Sequence, residues 1–217
     1  MNFAAARRNM VNCQILTNRV THPQLIDALE QLPRELFVPK QWRSTAYLDD
    51  DVDLGAGRYL MEPMVFARLL QGADIRPTEV VLDVGCATGY SSAVLARLAG
   101  AVVALEADSD LVSRAGAALA ELGVDTVAVV KGPLAKGDAS HGPYDVIILE
   151  GSVEQIPDSL TRQLADGGRL VAVVGAPGEV GRATLLLRVG EVFSQRILFD
   201  ASIAPLPGFE SAPRFVL

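Results

Sequence analysis

The fold of this 217-residue chain is decided by the stretch Glu79-Val-Val-Leu-Asp-Val-Gly-Cys-Ala-Thr-Gly-Tyr90. Its first half is a short β-branched and apolar run, which predicts a buried strand. Gly85 and Gly89 then bracket a tight loop, and the residues from Ser91 to Leu98 predict a helix. A strand, a glycine loop and a helix in this order typically cradle a phosphate or a nucleotide.

A second apolar strand, Ala101 to Leu105, ends in the acidic residue Glu106. An acid at the tip of the second strand of a doubly wound sheet meets a ribose, because its two oxygens can accept from both sugar hydroxyls. The spacing therefore predicts a nucleoside between the glycine loop and Glu106. The alternative is an ordinary glycine-rich turn between a strand and a helix.

The rest of the chain after residue 79 alternates between apolar strands and helices, which predicts a parallel sheet. Its end differs, because two strand-like runs are separated only by Gly190-Glu191, a hairpin signal. We therefore expect a doubly wound, mostly parallel α/β sheet of seven strands with an antiparallel C-terminal hairpin. The predicted strands are 79–84, 101–105, 126–130, 144–149, 168–174, 183–189 and 192–203, and the predicted helices are 90–99, 109–122 and 157–165.

Residues 1–78 are expected to form a helical extension of the core at 79–217, the whole chain being a single domain. Apolar spacing predicts helices at 2–16, at 21–32 with Thr21 as the N-cap, and at 63–71.

Residues 34–39 are expected to be an extended connector, and 42–60 is the least regular segment. Its aspartates at 49, 50, 51 and 53 do not match the spacing of a calcium loop, so a solvated acidic loop is favoured.

The composition narrows the classes of partner. A net charge of −7 argues against nucleic acid, and no apolar run is long enough to span a membrane. The N-terminus does not match a signal peptide, and two cysteines, Cys13 and Cys86, suit a reducing cytosol. His22 and His141 are isolated, so no metal site is expected. We therefore expect a cytoplasmic protein, with the oligomeric state left open.

The loop from Gly85 to Gly89, with Asp83 before it, resembles motif I of the class I S-adenosylmethionine (AdoMet) methyltransferases, D/E-x-G-x-G-x-G. Ala87 takes the place of the middle glycine. The resemblance implies a Rossmann-like fold, AdoMet as methyl donor and S-adenosylhomocysteine as product. It implies a donor site formed by Asp83, Gly85, Cys86, Ala87, Thr88, Gly89, Tyr90 and Glu106.

Longer strings resemble the protein-L-isoaspartate O-methyltransferase family, in one order from about Arg8 to Leu206. The resemblance implies transfer of a methyl group from AdoMet to the free α-carboxylate of an isoaspartyl residue, so the implied partner is a damaged protein or peptide. The strings are Arg8-Asn-Met-Val-Asn-Cys-Gln14, Pro33-Arg-Glu-Leu-Phe-Val-Pro39, Ala46-Tyr-Leu-Asp49, Val81 to Tyr90, Tyr144-Asp-Val-Ile-Ile148, Ile156-Pro157, Gln163-Leu-Ala-Asp-Gly-Gly-Arg-Leu170 and Ala204-Pro-Leu206.

The chain departs from the family pattern where the acceptor would bind. The family's Thr-Ile-Ser-Gln-Pro reads Tyr59-Leu-Met-Glu-Pro63, so Met61 replaces a serine that contacts the acceptor and Glu62 replaces the glutamine. A thioether has no donor, and a second carboxylate opposes a carboxylate substrate. The alternatives are that Met61 packs in the core and that Glu62 is solvated at a helix N-terminus.

Two further departures lie near the donor. The family's Gly-Asp beside adenine reads Gly132-Pro133, and Pro133 offers neither a carboxylate nor a backbone donor. Glu150-Gly-Ser152 follows the fourth core strand, where small and hydroxyl residues are usual. Two hypotheses follow: an AdoMet-dependent methyltransferase with an altered acceptor site, or an inactive binding module on the same scaffold.

Overall fold

The computed structural model describes residues 1–176 and 178–210. In this part of the chain, nine strands and six α-helices are formed. The strands are β1 Val52–Gly55, β2 Arg58–Leu60, β3 Val80–Val84, β4 Ala101–Glu106, β5 Val127–Lys131, β6 Tyr144–Val153, β7 Leu164–Val174, β8 Gly181–Val189 and β9 Val192–Ala201. The helices are α1 Phe3–Met10, α2 Pro23–Gln31, α3 Pro63–Ala73, α4 Tyr90–Leu95, α5 Ser109–Glu121 and α6 Asp158–Thr161.

The main sheet has seven strands in the order β5-β4-β3-β6-β7-β8-β9. Strands β3 to β7 are parallel, and β8 and β9 are antiparallel, so the predicted fold class is confirmed. Val84 at the end of β3 is in register with Leu105 of β4 and Leu149 of β6. The carboxyl ends of these three strands therefore meet at one edge, where the strand order reverses and ligands of open α/β sheets bind.

Both faces of the central strands are covered, which explains their continuous apolar runs. Val81 and its neighbours on one face pack with the N-terminal helices. Leu82 and its neighbours on the other face pack with the segment that contains Leu206. The glycine loop after β3 is thus held between the N-terminal extension and the C-terminal segment.

The N-terminal helix differs from its prediction. It ends as an α-helix at Met10, continues as a π-helical turn at Val11–Ile15 and closes as a 3-10 turn. The wider turn brings Met10 and Ile15 onto the same buried side. The predicted N-cap Thr21 is also wrong, since His22 caps α2 through its Nδ1, which accepts from the N–H of Leu25 at 3.3 Å.

Three other segments differ from their predictions. Arg34–Phe37 is a 3-10 turn instead of an extended connector, and the irregular segment contains the β1–β2 hairpin. The sequence does not predict the hairpin, because a charged residue, Arg58, occupies an inward position where an apolar residue is expected. Only Asp158–Thr161 of the helix expected at 157–165 is α-helical, because β7 already begins at Leu164. In the described residues, no helix is long and apolar enough to cross a membrane.

Candidate active site

The loop after β3 turns by positive φ angles. Gly85 has φ +85° and Gly89 has φ +92°, and the N–H groups of Gly85 and Cys86 both donate to the carbonyl of Leu105 in β4. Ala87, at the position of the family's middle glycine, also lies in the left-handed region, with φ +48°. That region costs a residue with a Cβ roughly 1–2 kcal/mol, which explains why glycine is the usual residue there.

Glu106 joins the tip of β4 to this loop. Its Oε2 accepts from the N–H of Ala87 at 2.9 Å, and its Oε1 accepts from the N–H groups of Ala107 at 2.7 Å and Asp108 at 3.2 Å. The side chain is 1% exposed. The carboxylate predicted to bind a ribose therefore lies beside the glycine loop, fixed by three backbone donors.

Asp83 in β3 fixes the start of α4. Its Oδ2 accepts from the hydroxyls of Ser91 at 2.7 Å and Ser92 at 2.6 Å, while its buried Oδ1 has no partner. Burial raises the pKa of Asp83 to about 6; the two serine hydroxyls lower it and the charge of Glu106 raises it. The acid of motif I thus anchors the helix that follows the loop.

The side chains of three predicted donor-site residues point into the core. Thr88 donates to the carbonyl of Phe37 at 2.6 Å, and Tyr90 packs edge-on against the Phe37 ring at a centroid distance of 5.4 Å. Cys86 packs with Ala104 and Ala115, and burial raises the pKa of its thiol. Of these residues only the backbone can face a ligand, and their role in donor binding stays a prediction.

Arg58 is a site residue that the sequence analysis missed. It projects from β2 into the loop, where its Nη2 donates to the carbonyl of Gly85 and lies 3.2 Å from Oε2 of Glu106. Leu206 lies on the same side, since a Cβ added to Gly85 would be 2.8 Å from Arg58 Nη2 and 2.7 Å from Leu206 Cδ1. The sequence signal for this inward position is the alternation of inward-facing and outward-facing residues in β2, which follows the Gly55-Ala-Gly57 turn.

The predicted acceptor residues lie between β2 and α3. Met61 is 4% exposed and belongs to the core, and its backbone carbonyl accepts from the Arg34 guanidinium. Glu62 precedes α3, and its N–H donates to Asp51 Oδ1 at 2.8 Å. Burial, followed by the charges of Asp49, Asp51 and Asp50, raises the pKa of Glu62 to about 7.

The acidic loop organises this region through backbone contacts. Asp51 Oδ2 accepts from the N–H of Ala204 at 2.6 Å, which ties the C-terminal segment to the start of α3, and Asp49 accepts from the N–H of Met64 at 3.3 Å. Within residues 1–176 and 178–210, no group of three potential ligands could hold a metal ion.

The remaining predicted residues lie at the ends of β5 and β6. Glu150 lies in β6, and its Oε1 is buried without a hydrogen-bond partner; burial and the Asp83 charge raise its pKa. Gly132 donates to the backbone carbonyl of Glu106 at 3.0 Å, and Pro133 is exposed before a short 3-10 turn. Ser152 pairs through its backbone with Ala204 and Leu206. Their contacts with a donor stay predictions.

These residues fit a nucleoside-bearing methyl donor. The loop turns at Gly85 with a positive φ, Glu106 lies at the tip of the second strand beside it, and Glu150 has a buried oxygen without a hydrogen-bond partner. Together with the strand order, the loop defines the class of protein as a Rossmann-like class I methyltransferase fold.

Comparison with known proteins gives the family. The model of the protein-L-isoaspartate(D-aspartate) O-methyltransferase family matches residues 6–197. A protein-L-isoaspartate O-methyltransferase of Rhodopseudomonas palustris is 38% identical over 96% of this chain and 86% of its own, and one of Anaeromyxobacter is 40% identical over 80% and 72%. The chain therefore belongs to the protein-L-isoaspartate O-methyltransferase family, which confirms the predicted family and enzyme class.

Solved structures agree in fold. A protein-L-isoaspartate O-methyltransferase superposes with a TM-score of 0.80 at 22% identity, over 94% of this chain and 67% of the other. A Plasmodium falciparum protein-L-isoaspartate O-methyltransferase, in complex with S-adenosyl-L-homocysteine, superposes with a TM-score of 0.78 at 18% identity, over 96% and 99%.

Proposed function

We propose that this protein transfers the methyl group of AdoMet to the free carboxylate of isoaspartyl residues in damaged proteins or peptides, through an acceptor site that differs from the usual family pattern. The observation that carries the proposal is the contact between Glu106 and the loop at Ala87, because it holds a buried carboxylate beside the glycine loop at the edge where the strand order reverses, which is where a ribose would bind.

The reaction is an in-line displacement. The carboxylate oxygen forms a bond to the methyl carbon, the bond from that carbon to sulfur breaks, and the electron pair stays on sulfur to give S-adenosylhomocysteine. The acceptor carboxyl has an unperturbed pKa of about 3.3–3.7, so it is ionised at neutral pH and no general base is needed. The protein contributes alignment and exclusion of water, which together can lower a barrier by roughly 7–11 kcal/mol.

Each part of the site has a role in this alignment. Glu106 would accept the ribose hydroxyls, and the turn at Gly85 would let the backbone approach the methionine end of the donor. The Asp51 contacts with Glu62 and Ala204 hold the acceptor segment against the C-terminal segment. These contacts support an acceptor site between the start of α3 and the C-terminal segment around Ala204.

Glu62 can supply a hydrogen-bond donor to the altered acceptor site. Its pKa of about 7 means that a large share of the side chain is neutral near pH 7. A neutral carboxylic acid can donate a hydrogen bond, as a glutamine amide can, and it does not repel the acceptor carboxylate. Glu62 can therefore take the place of glutamine in its protonated form.

The second candidate is a binding module without transfer activity. It is favoured by one observation, the Arg58 guanidinium and the Leu206 side chain that lie against Gly85 where the donor would pack.

Two measurements separate the candidates. Calorimetric titration with AdoMet and S-adenosylhomocysteine tests donor binding, and methyl transfer from labelled AdoMet to an isoaspartyl peptide, with the matched aspartyl peptide as control, tests the reaction. Donor binding together with transfer to the isoaspartyl peptide alone is the expected result. Donor binding without transfer would contradict the proposal and support the binding module.

A further inference from the structure

Arg58 is a buried cation whose hydrogen bonds are incomplete. Its side chain is 4% exposed, and Nη2 contacts the Gly85 carbonyl and the Glu106 carboxylate. Nη1 is buried and has no hydrogen-bond partner. A buried charged donor without a partner carries a large desolvation penalty, so the guanidinium has both the capacity and the driving force to bind another anion.

The contact with Glu106 conflicts with the proposed donor site. Oε1 of Glu106 already accepts from Ala107 and Asp108, and Oε2 accepts from Ala87 and faces Arg58. Each oxygen of the carboxylate thus already has two partners, and a ribose hydroxyl would compete with Arg58 for Oε2. A donor that binds through Oε2 would therefore displace Arg58 from Glu106, and a buried guanidinium that loses its nearest carboxylate gains from pairing with another anion.

The acceptor carboxylate would be such an anion, and the residues predicted to contact it are close to Arg58 in the chain. Arg58 lies on the short strand that leads directly into Met61 and Glu62. The other buried arginine nearby, Arg34, is already committed, since it donates to the carbonyls of Ala46 and Met61. Arginine binds a carboxylate through two parallel hydrogen bonds, and Met61 cannot supply the donor that the family's serine provides.

We propose that Arg58 leaves Glu106 when the methyl donor binds and then holds the carboxylate of the isoaspartyl acceptor. This inference rests on the proposed function, and it assigns an acceptor-binding residue that replaces the missing hydroxyl. It also makes the two substrates cooperative, because the donor frees the guanidinium that the acceptor needs. By linkage, the acceptor must then raise the affinity for the donor by the same factor.

The test is calorimetric titration of an isoaspartyl peptide, with its aspartyl counterpart as control, into the protein alone and into the protein saturated with S-adenosylhomocysteine. We expect the isoaspartyl peptide to bind about tenfold more tightly or better in the saturated protein, which corresponds to about 1.4 kcal/mol of coupling. The variant Arg58→Gln should lose this coupling, and Arg58→Lys should keep part of it, because lysine keeps the charge and loses the planar fork.

The matched control is Arg114→Gln on the exposed side of α5, which should keep the full coupling. Arg58→Gln should bind S-adenosylhomocysteine as tightly as the wild type or more tightly, since the competing guanidinium is gone. Far-ultraviolet circular dichroism and urea unfolding establish that each variant is folded.

Three results would overturn the inference: equal peptide affinity with and without S-adenosylhomocysteine in the wild type, undiminished coupling in Arg58→Gln, or weaker S-adenosylhomocysteine binding in Arg58→Gln than in the wild type. The last would assign Arg58 to the methionine carboxylate of the donor. Coupled binding without methyl transfer would refute the proposed function and leave this assignment of Arg58 standing. Failure of the wild type to bind S-adenosylhomocysteine would refute both.

Discussion

The N–H of Ala87 donates to Oε2 of Glu106 across 2.9 Å, so one hydrogen bond joins the loop after β3 to the tip of β4. The loop and the acid that define a donor site in the sequence are thus a single structural unit. A change at Glu106 would therefore alter both the predicted contact with the ribose and the shape of the loop.

We predict that Glu106→Gln weakens the binding of AdoMet and S-adenosylhomocysteine by about tenfold or more, because buried sugar hydroxyls left without a charged acceptor cost about 1–3 kcal/mol. Glutamine keeps one oxygen for the backbone donors, whereas alanine would leave the N–H groups of Ala87, Ala107 and Asp108 without an acceptor. Calorimetry measures the affinities, with Glu121→Gln on the exposed side of α5 as control. Unchanged affinity in a folded Glu106→Gln protein would refute the ribose assignment.

Glu62 gives the protein a pH-dependent stability. Its pKa is raised from 4.5 to about 7 in the folded state, so between these pH values the folded protein binds more protons than the unfolded chain. The contribution of Glu62 to the free energy of unfolding therefore decreases as pH rises from about 4.5 through 7. We predict that Glu62→Gln removes this loss, so that its Tm relative to the wild type increases from pH 5 to pH 8. A difference in Tm that stays constant, as expected for Glu121→Gln, would contradict the assignment.

The same titration should govern the acceptor. We predict that the wild type has a lower KM for an isoaspartyl peptide at pH 6 than at pH 8, because the ionised Glu62 repels the carboxylate. In Glu62→Gln this dependence should be weaker. Steady-state kinetics at saturating AdoMet measures it, and equal pH profiles in the two proteins would exclude Glu62 from the acceptor site.

Replacing Met61 with serine should lower the stability of the protein and, where it stays folded, raise its activity. Because its side chain is buried in the core, Met61→Ser should lower the free energy of unfolding by about 2–5 kcal/mol. Where the protein remains folded, Met61→Ser with Glu62→Gln should raise transfer to isoaspartyl peptides by about tenfold to a hundredfold, the value of a hydrogen bond to a charged group.

The control for this gain is Met61→Leu with Glu62→Gln, which keeps the core volume and adds no hydroxyl. Urea unfolding and transfer assays on both double variants measure the two effects. Equal activity of the two would mean that residue 61 does not face the acceptor.

The residue that caps the end of α3, Asp74, has a backbone conformation whose cost can be tested by substitution. Asp74 follows the helix with φ +50°, in the left-handed region where glycine is preferred, and its negative charge opposes the helix dipole. We predict that Asp74→Gly stabilises the protein by about 1 kcal/mol, a rise in Tm of about 2–4 °C. Asp74→Asn, which removes only the charge, should give a smaller gain, and a loss of stability in Asp74→Gly would contradict this prediction.

The sequence by itself determined the sheet, its antiparallel end and the donor loop. These features depend on residues that are close along the chain: a β-branched run followed by Gly85 and Gly89, and an apolar strand followed by Glu106. Their local pattern fixes the backbone path, and the pairing of adjacent parallel strands then brings the loop and the acid to the same edge.

Only the tertiary structure decided which side chains surround the loop and how they contact one another. Arg58 approaches Gly85 and Glu106, Thr88 bonds to Phe37, and Asp51 bonds to Ala204, contacts between residues that are far apart in the chain. Side-chain positions of this kind depend on how the N-terminal extension and the C-terminal segment pack on the sheet. A local sequence pattern predicts that a charged residue in a short hairpin is exposed to solvent. The inward position of Arg58 therefore depends on tertiary packing.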